Sequence, residues 1–227
     1  GTLSGGILAF ADGQTLAITS NGNNRLTGVT VNGDLTLSAS SAMVKIEGGT
    51  TFANAHLSGN YSSIGFAPGQ TLTGNVLFEG SNTAYRTVEM SGTAGTLTIG
   101  PSGSIKTVAG FQGQGRIGPT WNFGGAMTLV NQGLISAETN NSTMLIQPAS
   151  LTNTGTVVIS GGSLTTAGGY VRIWADSDNA SGGGFTLGAP INTGGGNLHI
   201  SAGHGEVLLN SDMNLGAGRL LFRSDGN

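Results

Sequence analysis

Short alternating apolar phrases recur along the whole chain, and they constrain what it can fold into more than any other feature. They read Thr15-Leu16-Ala17-Ile18, Leu35-Thr36-Leu37, Thr96-Leu97-Thr98-Ile99, Thr143-Met144-Leu145-Ile146, Thr156-Val157-Val158-Ile159 and Asn197-Leu198-His199-Ile200. Each phrase has the period of two that makes a short strand with one apolar face. None can bury that face alone. A chain that repeats such a unit and little else is expected to stack, each coil covering the one before. The expected fold class is therefore all-β: a β-solenoid in which most residues serve the scaffold.

Composition removes the competing classes. Only 8% of the 227 residues are charged, and 42 are glycine. Disordered chains combine high net charge with few β-branched residues, whereas Val, Ile and Thr here fall in ordered phrases. No apolar run approaches the roughly 18 residues of a membrane-spanning helix. The strands of an outer-membrane barrel run about 10 residues, longer than most of these phrases. The net charge of −3 and eight singly scattered Lys and Arg give no footprint for nucleic acid. The absence of cysteine excludes disulfides and thiolate metal sites, and fits passage through an oxidising compartment. No signal peptide is visible and residue 1 is glycine, so a processed protein or a fragment is expected.

Helix signals are nearly absent, and Gly, Asn and Ser clusters punctuate the chain as turns. Coils of about 20 to 25 residues would give about ten coils and a rod roughly 50 Å long at about 4.8 Å per coil. The period of two places Leu97, Ile99, Val157, Ile159, Leu198, Ile200, Val207, Leu209, Leu220 and Phe222 inward and His199 outward. Asn131, Asn153 and Asn192 are expected at turns, where they could bond along the stack. The style changes near Gly168. Residues 1–167 read as irregular coils with longer loops, 111–126 among them, and 168–227 as tighter coils of the same rod.

Two segments carry a resemblance. Residues 131–165 contain Asn-Gln-Gly-Leu-Ile-Ser-Ala, Met144-Leu145-Ile146 and Leu151-Thr152-Asn153-Thr154-Gly155-Thr156-Val157. Residues 175–202 contain Ala-Asp-Ser-Asp-Asn-Ala-Ser-Gly-Gly-Gly and Ile191-Asn192-Thr193-Gly194-Gly195-Gly196-Asn197-Leu198. Both resemble the repetitive regions of large bacterial surface proteins of the filamentous haemagglutinin and autotransporter-like adhesin kind. The stretch from Leu26 to Gly118 resembles them more loosely. The resemblance implies a right-handed parallel β-helix over residues 1–227, exported to the cell surface or the extracellular space, and acting as stalk, adhesin or matrix. The secretion-signal domain of that group is not recognisable.

Candidate sites are few. Gly113-Gln114-Gly115-Arg116-Ile117-Gly118 matches a dinucleotide fingerprint but runs into Pro119 instead of a helix. Asp176, Asp178 and Asn179 suggest a calcium loop, yet Ser181 and Leu187 stand where an EF-hand needs Gly and Glu. His199, His204 and Glu206 are close in sequence without a reason to converge on a metal. No cofactor, metal or catalytic residue is expected, and the 11 acidic residues are mostly isolated. The expected contact surface is an outward stripe of Tyr170, Arg172 and Trp174, residue types favoured at contact hot spots. Phe111, Trp121 and Phe123 are expected to cover the rod. The expected function is structural: an adhesin rod, or a filament subunit joined end to end through uncapped edges. The alternatives are a carbohydrate-binding module using the aromatic stripe and, behind it, a polysaccharide lyase or hydrolase.

Overall fold

A computed structural model describes residues 1–11, 14–139, 142–159, 163–165, 171–174, 185–187, 191–193, 195, 197–201, 207–210 and 212–223. The described residues are all β, with no helix. They form one large sheet of 11 strands, two of 7 and two small ones of 2. Every strand pairing described is parallel except that of Gly124–Gly125 against Met90 and Ser91.

From Ser63 to Ile159 the parallel strands visit the three large sheets in rotation, interrupted only by the antiparallel pair Gly124–Gly125 on the first sheet. Ser63–Phe66 joins the first sheet, Gln70–Leu72 the second and Asn75–Phe78 the third. Tyr85–Ser91, Gly95–Ile99 and Ser104–Thr107 repeat the order. So do Gln114–Ile117, Met127–Asn131 and Leu134–Ala137, and then Thr143–Ile146, Ser150–Asn153 and Thr156–Ile159. Each return to the first sheet pairs in register with the previous visit. The step is 20 residues between Leu26 and Ile46 and 29 between Val88 and Ile117, so the longest turns exceed the expected coil.

Parallel register stacks like on like. Val44, Ile64, Val88, Ile117 and Ile146 form one column of the first sheet, all at most 1% exposed. Leu97, Leu129 and Leu151 form a column in the second, and Val76, Ile105, Ile135 and Val157 in the third. Burying each such side chain is worth about 1.5–3 kcal/mol, and the columns merge into one core. Leu97, Ile99, Leu198 and Ile200 are fully buried, as the period of two requires, and Val157, Val207 and Leu220 pack against the core. The side chain of Ile159 lies outside the described residues. Leu209 and Phe222 differ from expectation: they are 38% and 51% exposed. Each sits in the last strand of its sheet, with a neighbouring strand on one side only.

Asn131 and Asn153 interrupt the aliphatic column below Ile99 and form the expected ladder. Asn131 Nδ2 donates to Asn153 Oδ1 at 2.5 Å, and its Oδ1 accepts from Gly133 N at 3.2 Å. Both are essentially buried, so these bonds satisfy amides that water cannot reach. Asn192 is not part of this ladder. Its strand, Ile191–Asn192, belongs to the first sheet, where Asn192 pairs with Asn214. Local sequence does not tell which sheet a turn-side Asn will meet one coil later. The style change at Gly168 lies outside the described residues.

Candidate functional site

Alternation along Tyr85–Ser91 points Arg86, Val88 and Met90 into the core and Tyr85, Thr87 and Glu89 out. The same rule places Arg116 on the outer side, between buried Gly115 and Ile117. Three aromatic residues from separate turns and strands meet on this outer side. The Tyr61 and Tyr85 ring centroids are 4.8 Å apart at 65°, and those of Tyr85 and Trp121 are 4.9 Å apart at 67°. Both are edge-to-face contacts, which ring quadrupoles favour. Arg116 Cζ lies 4.4 Å from the Trp121 centroid and 5.6 Å from that of Tyr85. Its Nη2 donates to Gln114 Oε1 at 2.5 Å, and burial pushes its pKa down. A groove of about 350 Å³ opens beside the rings, lined by Asn60, Tyr61, Asn82, Thr83, Tyr85 and Gln114.

The backbone fixes Tyr61 at a cost. It is the third residue of the turn 59–62, closed by Ser62 N donating to Gly59 O at 3.2 Å. The turn 108–111 is closed the same way, by Phe111 N to Val108 O, and has Gly110 at the third place. Tyr61 has φ 60°, Gly110 has φ 85°, and Ser41, the third residue of the turn 39–42 stacked on 59–62, has φ 56°. Left-handed backbone costs a residue with a Cβ roughly 1–2 kcal/mol, yet a bulky tyrosine stands there.

Trp121 is held by a buried carboxylate. The segment 118–126 folds back over the first sheet, and Glu89 beneath it is 0% exposed. Glu89 accepts from Asn122 N at 2.8 Å, Asn122 Nδ2 at 2.7 Å, Phe123 N at 3.1 Å and Thr87 Oγ1 at 2.7 Å. Phe123 lies flat on Gly65, where a Cβ would come within 2.7 Å of the ring. Phe111 is buried beside Phe78, with ring centroids 6.1 Å apart. Phe123 thus covers the first sheet as expected, whereas Phe111 belongs to the core itself. Trp121 packs on Tyr85 and Arg116 and keeps 50% of its area exposed, and Tyr61 is 46% exposed.

Of the expected stripe, Tyr170 lies outside the described residues. Arg172 and Trp174 belong to the strand Val171–Trp174, in register with His199 and Ser201, and their side chains lie outside the described residues. Asp176, Asp178, Asn179, His204 and Glu206 also fall outside. His199 is half-buried between buried Leu198 and Ile200. The Gly113–Gly118 run is a strand with no helix after it. Its glycines allow close packing: a Cβ at Gly115 would sit 2.4 Å from the Phe78 ring, and one at Gly113 would sit 2.3 Å from Ala84 O.

A polar ladder on the third sheet is a second constellation. Asn54 donates to Asp34, Asn75 to Asn54, and Ser104 to Asn75, over four successive strands. Beside it His56 is held between two carboxylates, with Nδ1 2.7 Å from Glu79 Oε1 and Nε2 3.1 Å from Asp34 Oδ2. Among the described residues no group of three acidic or histidine side chains is arranged to hold a metal. Partial burial alone would lower the His56 pKa, but the hydrogen bonds and charges of Glu79 and Asp34 outweigh it and hold the value above 6.5. Burial would likewise raise Asp34, but bonds from Asn54 and His56 hold it below 3.8. The Asp34 contribution is present above pH 3.8 and lost as pH falls through its lowered value. The His56 contribution is present below pH 6.5 and lost as pH rises through its raised value. His56→Gln is expected to flatten the fall in urea midpoint above pH 6.5. An unchanged slope there would remove this ladder from the pH response.

Comparison with family models, curated proteins and solved structures finds no match.

Proposed function

We propose that this chain is a right-handed parallel β-solenoid serving as a rod segment of an exported bacterial surface protein of the filamentous haemagglutinin kind, with a structural and not a catalytic role. The observation that carries the proposal is the rotation of successive parallel strands through three sheets in register. Parallel strands joined by crossovers wind right-handed in nearly all known cases, and rotation through three sheets is how a coil closes on its predecessor. Aliphatic columns and Asn ladders suit a stiff scaffold, because each coil's contacts lie with its neighbours. The outer surface of the described residues supports a role in contact, because it carries the Tyr61–Tyr85–Trp121 cluster. Surface location is tested by antibodies against this chain on intact cells of its source. Labelling that external protease removes is the expected result. Labelling only after permeabilisation would overturn the location.

A further inference from the structure

We propose that the Tyr61–Tyr85–Trp121 surface is a carbohydrate-binding site that takes a short run of pyranose sugars, independent of where the rod resides.

Three observations converge on it. The first is the kind of surface. Tyr61 and Trp121 keep about half of their area in water, at 46% and 50% exposure, although the core has taken nearly every other large apolar side chain of strands 43–137. Isolated exposed apolar residues need no explanation, but a contiguous aromatic cluster marks a contact site. The rings are spread over three successive strands of the first sheet or their turns. At about 4.8 Å per strand they reach roughly 10 Å along the stack.

The second is preorganisation. Tyr61 occupies left-handed backbone, as Ser41 does in the turn stacked on it and Gly110 does in a later turn. The left-handed conformation belongs to the stacked turns, and it fixes where the Tyr61 ring is presented. Trp121 is set by four hydrogen bonds converging on the buried Glu89 through its neighbours Asn122 and Phe123 and through Thr87. Arg116 covers part of its ring from one side. Fixed aromatic platforms lose little entropy when a ligand arrives.

The third is the lining. The groove beside the rings carries Asn60, Asn82, Thr83 and Gln114. Side-chain amides both donate and accept, as sugar hydroxyls do. Asn82 Oδ1 is engaged by Ala84 N and Arg86 Nη1, which turns the Asn82 amide group into a fixed donor. No carboxylate and no aliphatic side chain larger than Ala84 lines the groove. A protein partner would be expected to meet an apolar centre with a polar rim. Rings flanked by neutral hydrogen-bonding groups fit the apolar faces and equatorial hydroxyls of pyranoses instead. The volume of about 350 Å³ falls within the range of small-ligand sites.

The test is a broad oligosaccharide array probed with the whole 227-residue chain, followed by calorimetric titration of the strongest ligand. Binding of at least one pyranose oligosaccharide is expected. Affinity should fall about tenfold or more in Trp121→Ala and in Tyr61→Gly, as for contact hot spots. Tyr61→Gly separates binding from folding, because glycine relieves the strained backbone and thermal stability should hold. Trp174→Ala should bind as the parent does. Three results would each overturn the proposal: no glycan bound across the array, unchanged affinity in both aromatic variants, or loss of binding in Trp174→Ala with full binding in Trp121→Ala.

Discussion

Arg86→Ala should lower the unfolding free energy by about 3–5 kcal/mol, from the cavity left by a large buried side chain and the loss of its hydrogen bonds. Arg86 is 0% exposed, on the inner face of its strand with Val88 and Met90. Its guanidinium has no carboxylate among its partners. Nη1 donates to Asn82 Oδ1 at 3.0 Å and to Ala84 O at 2.5 Å, Nη2 donates to Ser58 O at 3.0 Å, and the group lies 5.4 Å from the Phe111 centroid. Burial pushes its pKa down, yet a guanidinium remains charged at any ordinary pH. Its neighbours are shaped around it: a Cβ at Gly80 would come within 2.6 Å of Nη2. Truncation to alanine leaves a cavity and takes from Ser58 O its guanidinium donor, while Asn82 Oδ1 keeps Ala84 N and Ala84 O keeps Gln114 N. Arg86→Met fills the volume but not the bonds, so it should lose about half as much. Urea unfolding followed by far-ultraviolet circular dichroism measures both. A loss below about 1 kcal/mol in Arg86→Ala would show that the guanidinium is not what joins these coils.

Glu89→Ala should cost about 3 kcal/mol, because four donors lose a charged acceptor where water cannot replace it. The loss should also be local. Amide exchange should speed up over 118–126, while the columns around Val88 and Ile117 keep their protection. Glu89→Gln should fall between parent and alanine, since an amide oxygen can serve only some of the donors and its NH2 faces Asn122 N–H. Hydrogen exchange by mass spectrometry reads the result. Uniform loss of protection across all coils would mean that the segment carrying Trp121 is part of the core rather than an addition to it.

Much of the scaffold is legible in local sequence. The alternation Leu198-His199-Ile200 placed two residues in and one out, and Leu97 with Ile99 followed the same rule, because a period of two depends on the strand alone. What depends on the coil is not legible locally. Asn131 and Asn153 meet because they are 22 residues apart in adjacent strands of one sheet, whereas Asn192 has the same local setting and lies in another sheet. The aromatic cluster was missed for the same reason. Tyr61 and Tyr85 are 24 residues apart beside paired strands of the first sheet, and the folded-back segment after Gly118 carries Trp121 to them. Arg86 had a local signal: the alternation Arg86, Val88, Met90 puts it on the inner face. A charged residue is ordinarily read as exposed, and only the acceptors supplied by Ser58, Asn82 and Ala84, which no strand pattern encodes, make its burial tenable.

Distances between spin labels test the stacked rod most directly, and the absence of native cysteine leaves each engineered pair unambiguous. Thr71, Thr98, Val130, Thr152, Arg172, His199 and Leu221 occupy matching register positions on the second sheet. Paired with a label at Thr71, labels at Arg172, His199 and Leu221 should lie about 19, 24 and 29 Å away, rising about 4.8 Å per strand. Pairs within one coil, such as Thr98 with Lys106 and Val130 with Ser136, should keep a constant separation from coil to coil. Distances along the sheet that level off or shorten with strand number, or within-coil separations that drift, would contradict a rod wound coil upon coil.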